Sequence, residues 1–359
     1  MGSTSMMAGE ILGQSLVADI LSIDPSTAEA FVAARYGIIG SATRLTAERD
    51  CNFVIQTEAG DRYVLKVTNP KEDRVFVNFQ TSALRHLELK TPAIPVPRVL
   101  PTVDGNFEPE LRLTPSGSAI ARLLTYVPGE VLRFSNRTAQ QRHNLGRVAA
   151  ELAVSLQDYD HPGARHLIAW DIKNAGRLRE LMSPSLGEQA DQEIIVKTLD
   201  VFDQRLAPRL PNLRAQIVHN DLNRNNVIVD AEDHSRIVAI LDFGDMVHTA
   251  LINDVAIGAA NQLGDTPDLL APAADFVGGY HTITPLSPEE LGMLPDLIAV
   301  RLAMSVIITE WRARRFPDNR THILRNTESN RQRLHLLLGM PRTTATSIFL
   351  HACERPRVP

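Results

Sequence analysis

The chain has 359 residues, a hydrophobic content of 44%, a charged content of 22% and a formal net charge of -5. That length suits two modest domains or lobes, each able to bury a core, and the composition is that of an ordinary soluble protein. The negative balance and the lack of a Lys/Arg-rich block argue against a nucleic-acid binder, and two isolated cysteines, Cys51 and Cys353, make neither a disulfide framework nor a zinc site.

The N-terminus has no basic start followed by an apolar run, as a secretory signal would. Met6 stands where N-myristoylation requires Ser or Thr. A reducing cytoplasm, with no membrane partner, is the expected location. The most apolar helix candidate, 294–311, carries Asp296, Arg301 and Glu310, so it reads as a buried core helix rather than a membrane span.

In chain order, Asp24 as a capping residue and Pro25 at the first helical position open a helix that stops at Gly37, which makes residues 1–40 an N-terminal helical extension. Strand-like pieces follow at 42–46, 52–57 and 62–68, the last two joined by the turn Glu58-Ala59-Gly60-Asp61. A helix over 73–89 ends at the Pro-rich stretch 92–97, and further strands fall near 99–103 and 119–125. Pro128-Gly129 closes a β-rich first lobe, 41–129. Residues 130–359 form a mainly helical second lobe, with helical periods at 143–156, 191–205, 253–262, 269–280 and 288–311. A β-rich lobe joined to a helical lobe makes a cleft between them the expected place for a site.

Residues 215–242 break the helical pattern and carry the strongest signal. His219-Asn220-Asp221-Leu222-Asn223-Arg224-Asn225-Asn226 leads into an apolar strand at 227–229. A polar turn, 230–236, and a second apolar strand, 237–241, then deliver Asp242-Phe243-Gly244-Asp245. Kinase-type phosphoryl transfer needs this set: a carboxylate at the acceptor hydroxyl, here Asp221, and an Asn and an Asp on magnesium, here Asn226 and Asp242. Mg²⁺ prefers octahedral oxygen ligands. Asn225 is a rival to Asn226, but the five-residue interval from Asp221 selects Asn226. Asp and Asn are common in turns, and Asp-Phe-Gly alone occurs by chance. The two halves joined by a strand–turn–strand are the specific feature. His219 reads as a structural histidine.

On these motifs the chain resembles the aminoglycoside phosphotransferase superfamily of small-molecule kinases, nearest its hydroxylysine-kinase-like and type II homoserine-kinase-like members. The likeness runs from about Arg44 to about Leu337. It implies an α+β, bilobal, protein-kinase-like fold with a β-rich N-lobe for nucleotide and a helical C-lobe for catalysis and substrate. It also implies ATP or GTP as donor, Mg²⁺, and a small hydroxyl-bearing acceptor such as an amino alcohol or hydroxy amino acid.

By the same resemblance, Lys66 in Tyr63-Val64-Leu65-Lys66-Val67 contacts the α- and β-phosphates. The segment from Leu45 to Phe53, with Asp50 and Asn52, is the turn over the phosphates and contains no glycine. The backbone from Leu124 to Tyr126 meets the purine. These families pair the strand lysine with an acidic residue on the first-lobe helix, and here local alignment puts Asn78 at that position. Either Asn78 orients the ammonium by hydrogen bonding, or Glu72, Asp73 or another carboxylate replaces it, or activity is reduced.

Beyond Asp245 no long activation segment and no Ala-Pro-Glu follow, which argues against a protein kinase. Asp245 assists the metal, receives a substrate amine or caps a turn. Asp254 anchors the loop. Arg301 binds a substrate carboxylate or joins a buried ion pair with Asp254 or a similar partner. Three competing functions remain: aminoglycoside phosphorylation on the same fold, a nucleotide-binding pseudokinase, and a metallohydrolase built on His219, Asp221, Asp242 and His248. The last lacks His-rich ligand spacing.

Overall fold

The computed structural model describes residues 21–45, 50–114, 117–182, 189–265 and 267–354. The chain divides into two compact units. One comprises residues up to Gly129 with Asp158–Leu167 and Val238–Gly244; the other comprises Glu130–Gln157, Ile168–Ile237 and residues from Asp245 onward.

In the first unit, helix α1 (Pro25–Tyr36) precedes strands β1 (Ser41–Leu45), β2 (Cys51–Gln56) and β3 (Arg62–Val67). Helix α2 (Arg74–Lys90) follows, then β4 (Val99–Leu100), β5 (Glu110–Thr114) and β6 (Gly117–Thr125). The antiparallel sheet runs β1-β2-β3-β6-β4, with β5 also paired to β6. Pro25 sets the start of α1. Asp24 makes no side-chain capping bond there, contrary to its reading as a capping residue, whereas Asp73 does cap α2 by accepting the Val75 N–H. The turn between β2 and β3 holds Gly60 at φ 91°, a left-handed conformation that favours glycine.

Side chains alternate across a strand, so each register sorts two faces. One face buries Cys51, Phe53, Ile55, Leu65, Val67, Ala121 and Leu123 in a core shared with Ala28, Phe31, Val32 and Tyr36 of α1. On the other face, Asn52 lies opposite Lys66, and Lys66 opposite Arg122. The neighbouring row on that face is Val54, Val64 and Leu124. A polar row beside an apolar row is the surface on which the site is built.

The second unit is mainly helical. β7 (Glu130–Val131) leads into α3 (Ala139–Ser155) and α4 (Gln189–Val201). Strand β8 (Ala215–Val218) is followed by β9 (Val227–Val229). β9 pairs with β7. Strand β10 (Ile237–Ile240) begins here and continues into the first unit, and β11 (Val247–Ala250) pairs with β8. Helices α5 (Leu251–Gln262), α6 (Ala271–Ile283), α7 (Pro288–Arg315), α8 (Arg320–Leu324), α9 (Thr327–Gly339) and α10 (Arg342–Glu354) complete the unit.

Two of these helices, α3 and α6, approach closely at glycines. A Cβ on Gly279 would lie 1.9 Å from the His143 carbonyl oxygen, and one on Gly146 would lie 2.0 Å from that of Phe276. Helix α7 starts with a capping box between Ser287 and Glu290. It is long and apolar enough to cross a membrane by composition, but 83% of its most apolar stretch is buried inside the protein. It is a core helix, as its charged residues suggested.

Candidate active site

On the polar row of the first unit, the Lys66 ammonium lies 3.1 Å from Asp242 Oδ1 and 3.6 Å from Asp50 Oδ2. Burial by itself lowers the pKa of this lysine. The Asp242 and Asp50 carboxylates outweigh that cost and hold it above the ordinary value of 10.5. Asp50 is fixed in turn, its Oδ1 accepting the Asn69 N–H at 3.1 Å. Asp242 sits at φ 56°, a left-handed conformation uncommon outside glycine, and its Oδ1 also accepts the Gly244 N–H at 3.3 Å.

Beside Lys66, Arg122 is only 2% exposed. It donates to Gln80 Oε1 at 3.1 Å and, at 3.4 Å, to Thr68 Oγ1. Burial lowers its pKa, with Asp50, Glu108 and Asp242 pulling the other way. Asn52, in the same row, has a buried Oδ1 that meets no hydrogen-bond partner among the described residues. Leu124 belongs to the adjacent apolar row. Tyr126 follows the end of β6, with the Arg62 guanidinium 4.0 Å above its ring. Residues 46–49 of the expected phosphate turn lie outside the described residues.

The reading of Asn78 as the lysine's partner is corrected. Its side chain is exposed, donating to both carboxylate oxygens of Glu108 at 3.2 Å, with its Oδ1 3.1 Å from His161 Nε2. Asp73 serves as the α2 cap. The carboxylates on Lys66 come instead from Asp50 and Asp242.

In the second unit, β8 delivers the loop 219–226. His219 and Asn220 are buried, and Asn220 adopts φ 63°. Asn and Asp tolerate this region better than other non-glycine residues. The Asn220 N–H donates to Asp254 Oδ1 at 2.7 Å, so Asp254 anchors the loop from α5. Burial raises the Asp254 pKa, opposed by His219, the Asn220 N–H and Arg301. His219 Nδ1 accepts the Asp221 N–H at 3.3 Å, a structural role.

Asp221 is held through Oδ2, which accepts from Asn226 Nδ2 at 2.7 Å and Asn223 Nδ2 at 2.9 Å. Asn226 Nδ2 also donates to the Asp221 carbonyl at 3.1 Å. Asn225 is exposed, and its backbone N–H bonds to Asn223 Oδ1 at 2.8 Å. Of the two rival asparagines, Asn226 is therefore the one brought onto Asp221.

Arg301, 8% exposed, comes from the middle of α7. Its Nη1 donates to the Trp170 carbonyl at 2.8 Å, its guanidinium lies 4.7 Å from the Trp170 ring centroid, and its Nη2 is 3.8 Å from Asp221 Oδ1. Burial lowers its pKa against Asp221, Asp245, Asp171 and Asp254, in falling order of effect. Asp245 thus belongs to the carboxylates around this guanidinium. Asp171, which no motif marks, is fully buried, accepts from Thr249 Oγ1 at 2.9 Å and pairs with Lys173 at 2.9 Å. Its only local mark is an Asp before a short helical turn, where its side chain accepts the Lys173 N–H.

Each unit carries an oxygen donor of a kind that suits a hard cation. In the second, Asn226 commits its amide nitrogen to Asp221, leaving a carbonyl oxygen as the ligand type; in the first, Asp242 has carboxylate oxygens. Mg²⁺ takes one or two such groups and completes its shell with water and phosphate. Among the described residues no three His, Cys, Asp or Glu side chains gather as a metal site.

Residues 42–291 match the family described as APH, phosphotransferase enzyme family. Hydroxylysine kinase of Mus musculus is 24% identical over 351 residues, covering 91% of this chain and 92% of its own length. Hydroxylysine kinase of Danio rerio is 27% identical over 302 residues, covering 80% of this chain and 84% of its own. Among solved structures, amicoumacin kinase hAmiN in complex with AMP-PNP, Ca²⁺ and Ami superposes with a TM-score of 0.68 at 18% identity, over 89% of this chain and 95% of that one. The expected α+β fold of the aminoglycoside-phosphotransferase type is the fold found.

Proposed function

The chain belongs to the phosphotransferase enzyme family and is a small-molecule kinase, and on that premise we propose that it moves the γ-phosphoryl group of ATP or GTP onto a hydroxyl of a hydroxy amino acid or amino alcohol of the hydroxylysine type. The observation that carries this reading is the hold on Asp221. A carboxylate fixed by Asn226 at 2.7 Å, on a loop anchored to α5, is what an acceptor-hydroxyl base requires. The two hydroxylysine kinases, matched over most of their length, support the acceptor class.

In this mechanism Asp221 accepts the hydrogen bond, then the proton, of the acceptor hydroxyl. Lys66, kept charged by Asp242 and Asp50, binds the α- and β-phosphates. Val54, Val64 and Leu124 offer the apolar surface for the base, and the backbone from Leu124 to Tyr126 its hydrogen bonds. Asn226 and Asp242 are each a candidate Mg²⁺ ligand, and the chemistry bound Mg²⁺ would supply is neutralisation of charge on the transferring phosphates. The pseudokinase reading rested on Asn78, and Lys66 has its carboxylates without it.

The test is ADP or GDP release by purified protein with Mg²⁺, ATP or GTP, and a panel of hydroxylysine, homoserine, ethanolamine, choline and aminoglycosides. Acceptor-dependent turnover that falls by about 10²–10⁴ in Asp221→Asn is the expected result. Turnover only on aminoglycosides replaces the acceptor class, and nucleotide binding without turnover on any acceptor overturns the proposal.

A further inference from the structure

We propose that Arg301 is the positioning residue of the catalytic base: seated on Trp170, its guanidinium holds Asp221 from one side while Asn223 and Asn226 hold it from the other. This rests on Asp221 being the base, as proposed above. Arg301 is flanked on α7 by Ala299, Val300, Leu302 and Ala303, all at most 3% exposed. A cation inside an apolar helix is costly unless its charge is met.

What meets it is specific. One nitrogen is tied to the Trp170 carbonyl at 2.8 Å and the guanidinium carbon lies 4.7 Å over the Trp170 ring, so the guanidinium has a fixed seat. The other nitrogen faces Asp221 Oδ1 at 3.8 Å. That distance is within ion-pair range but beyond a hydrogen bond. The charge therefore fixes the carboxylate without placing an N–H on that oxygen. Oδ2 meanwhile carries the two amide donors, at 2.7 and 2.9 Å. Opposed restraints on the two oxygens define the plane of the carboxylate, which neither set does alone.

The same surroundings count against Arg301 as the receptor of a substrate carboxylate. Asp221, Asp245, Asp171 and Asp254 all act on its charge. An incoming anion would meet four carboxylates, with Lys173 already paired to Asp171.

The experiment compares Arg301→Met and Arg301→Lys with wild type on two acceptors that differ only in a carboxylate, homoserine and 3-aminopropanol. A displaced base predicts a loss in kcat on the order of 10²-fold for both acceptors in Arg301→Met. The nucleotide and acceptor KM values should stay within about twofold, and Arg301→Lys, which keeps the charge but not the planar fork, should recover part of kcat. A rise in KM confined to homoserine, with kcat kept, overturns the proposal in favour of a substrate-carboxylate site. An unchanged kcat overturns it outright.

A second readout needs no turnover. The chain has two tryptophans, so Trp311→Phe leaves Trp170 as the sole emitter. In that background Asp221→Asn should shift Trp170 emission, because Arg301 loses the charge that orients it over the ring. No shift in Asp221→Asn or Arg301→Lys sinks the coupling. If wild type is inert on every acceptor, the kinase reading fails by that result, while the emission still decides whether Arg301 and Asp221 are linked. Should Arg301→Met not fold, Arg301→Lys and the emission data carry the decision.

Discussion

Lys66 and Asp221 are both held in place, but by different forces. Two carboxylates hold Lys66, at 3.1 and 3.6 Å, and the pair of charges overcomes the cost of burial. Two neutral amides hold Asp221, at 2.7 and 2.9 Å, with the Arg301 guanidinium standing off at 3.8 Å. A group that must meet phosphate needs its charge preserved, whereas a base needs its direction preserved. The sheet face should therefore fail when charge is removed, and the catalytic loop when geometry is disturbed. Left-handed backbone occurs at a non-glycine residue in each region, Asp242 and Asn220, and both adjoin the proposed chemistry.

On the sheet face, removing the charge itself gives the largest expected effect. Lys66→Met should lower kcat by about 10²–10³, the loss typical of removing one preorganised donor to developing charge. Asp50→Asn leaves Asp242 on the ammonium, so it should cost only about tenfold in nucleotide kcat/KM, less than the roughly 3–5 kcal/mol of stripping a buried ion of its partner. Steady-state kinetics with varied nucleotide separates the two. The pH dependence has a definite sign. Because the Lys66 value is raised, the stability its charge supplies is complete below the ordinary 10.5 and is lost only as pH rises through the raised value. Any fall in activity between pH 8 and 10 should thus survive Asp50→Asn unchanged in position; a limb in that range that moves with Asp50 contradicts the account.

Away from both regions, the crossing of α3 and α6 should respond in stability rather than chemistry. Gly279→Ala places a methyl 1.9 Å from a backbone carbonyl that has no side-chain freedom to yield. A loss of about 1–3 kcal/mol is expected, read as a lower thermal midpoint with kcat preserved at low temperature. An unchanged midpoint would mean that the two helices part without cost.

How far the sequence shows these features depends on how local they are. Asp221, Asn226 and Asp242 fall within one short stretch, so spacing alone selects Asn226 over Asn225, and the loop brings the Asn226 amide onto Asp221. Alternation in β2 and β3 likewise places Asn52 and Lys66 on one face. The role of Arg301 was open in the sequence between two partners because Trp170 and Asp221 come from distant segments. Asp171 and Thr249 escaped for the same reason, since their bond spans 78 positions. The helices α9 and α10 were overlooked despite a visible period, with Ala345, Phe349 and Ala352 buried at helical spacing.

Asn78 shows how a local match misplaces a side chain. Helix α2 turns Val77, Thr81 and Leu84 inward, the i, i+4 and i+7 positions of one face. Asn78 is one residue on, rotated by about 100° to the outside. From there it reaches Glu108 and His161, while the inward face, through Gln80, meets Arg122 rather than Lys66. The comparison of the two regions therefore predicts silence at this position. Asn78→Ala and Asn78→Glu should each leave kcat and nucleotide KM within about twofold, as for a surface change of under ~0.5 kcal/mol. A gain of several-fold in Asn78→Glu would show that the ammonium does look toward the helix during turnover. Asp50 would then be a resting partner only, and the charge balance around Lys66 would belong to two states of the first unit rather than one.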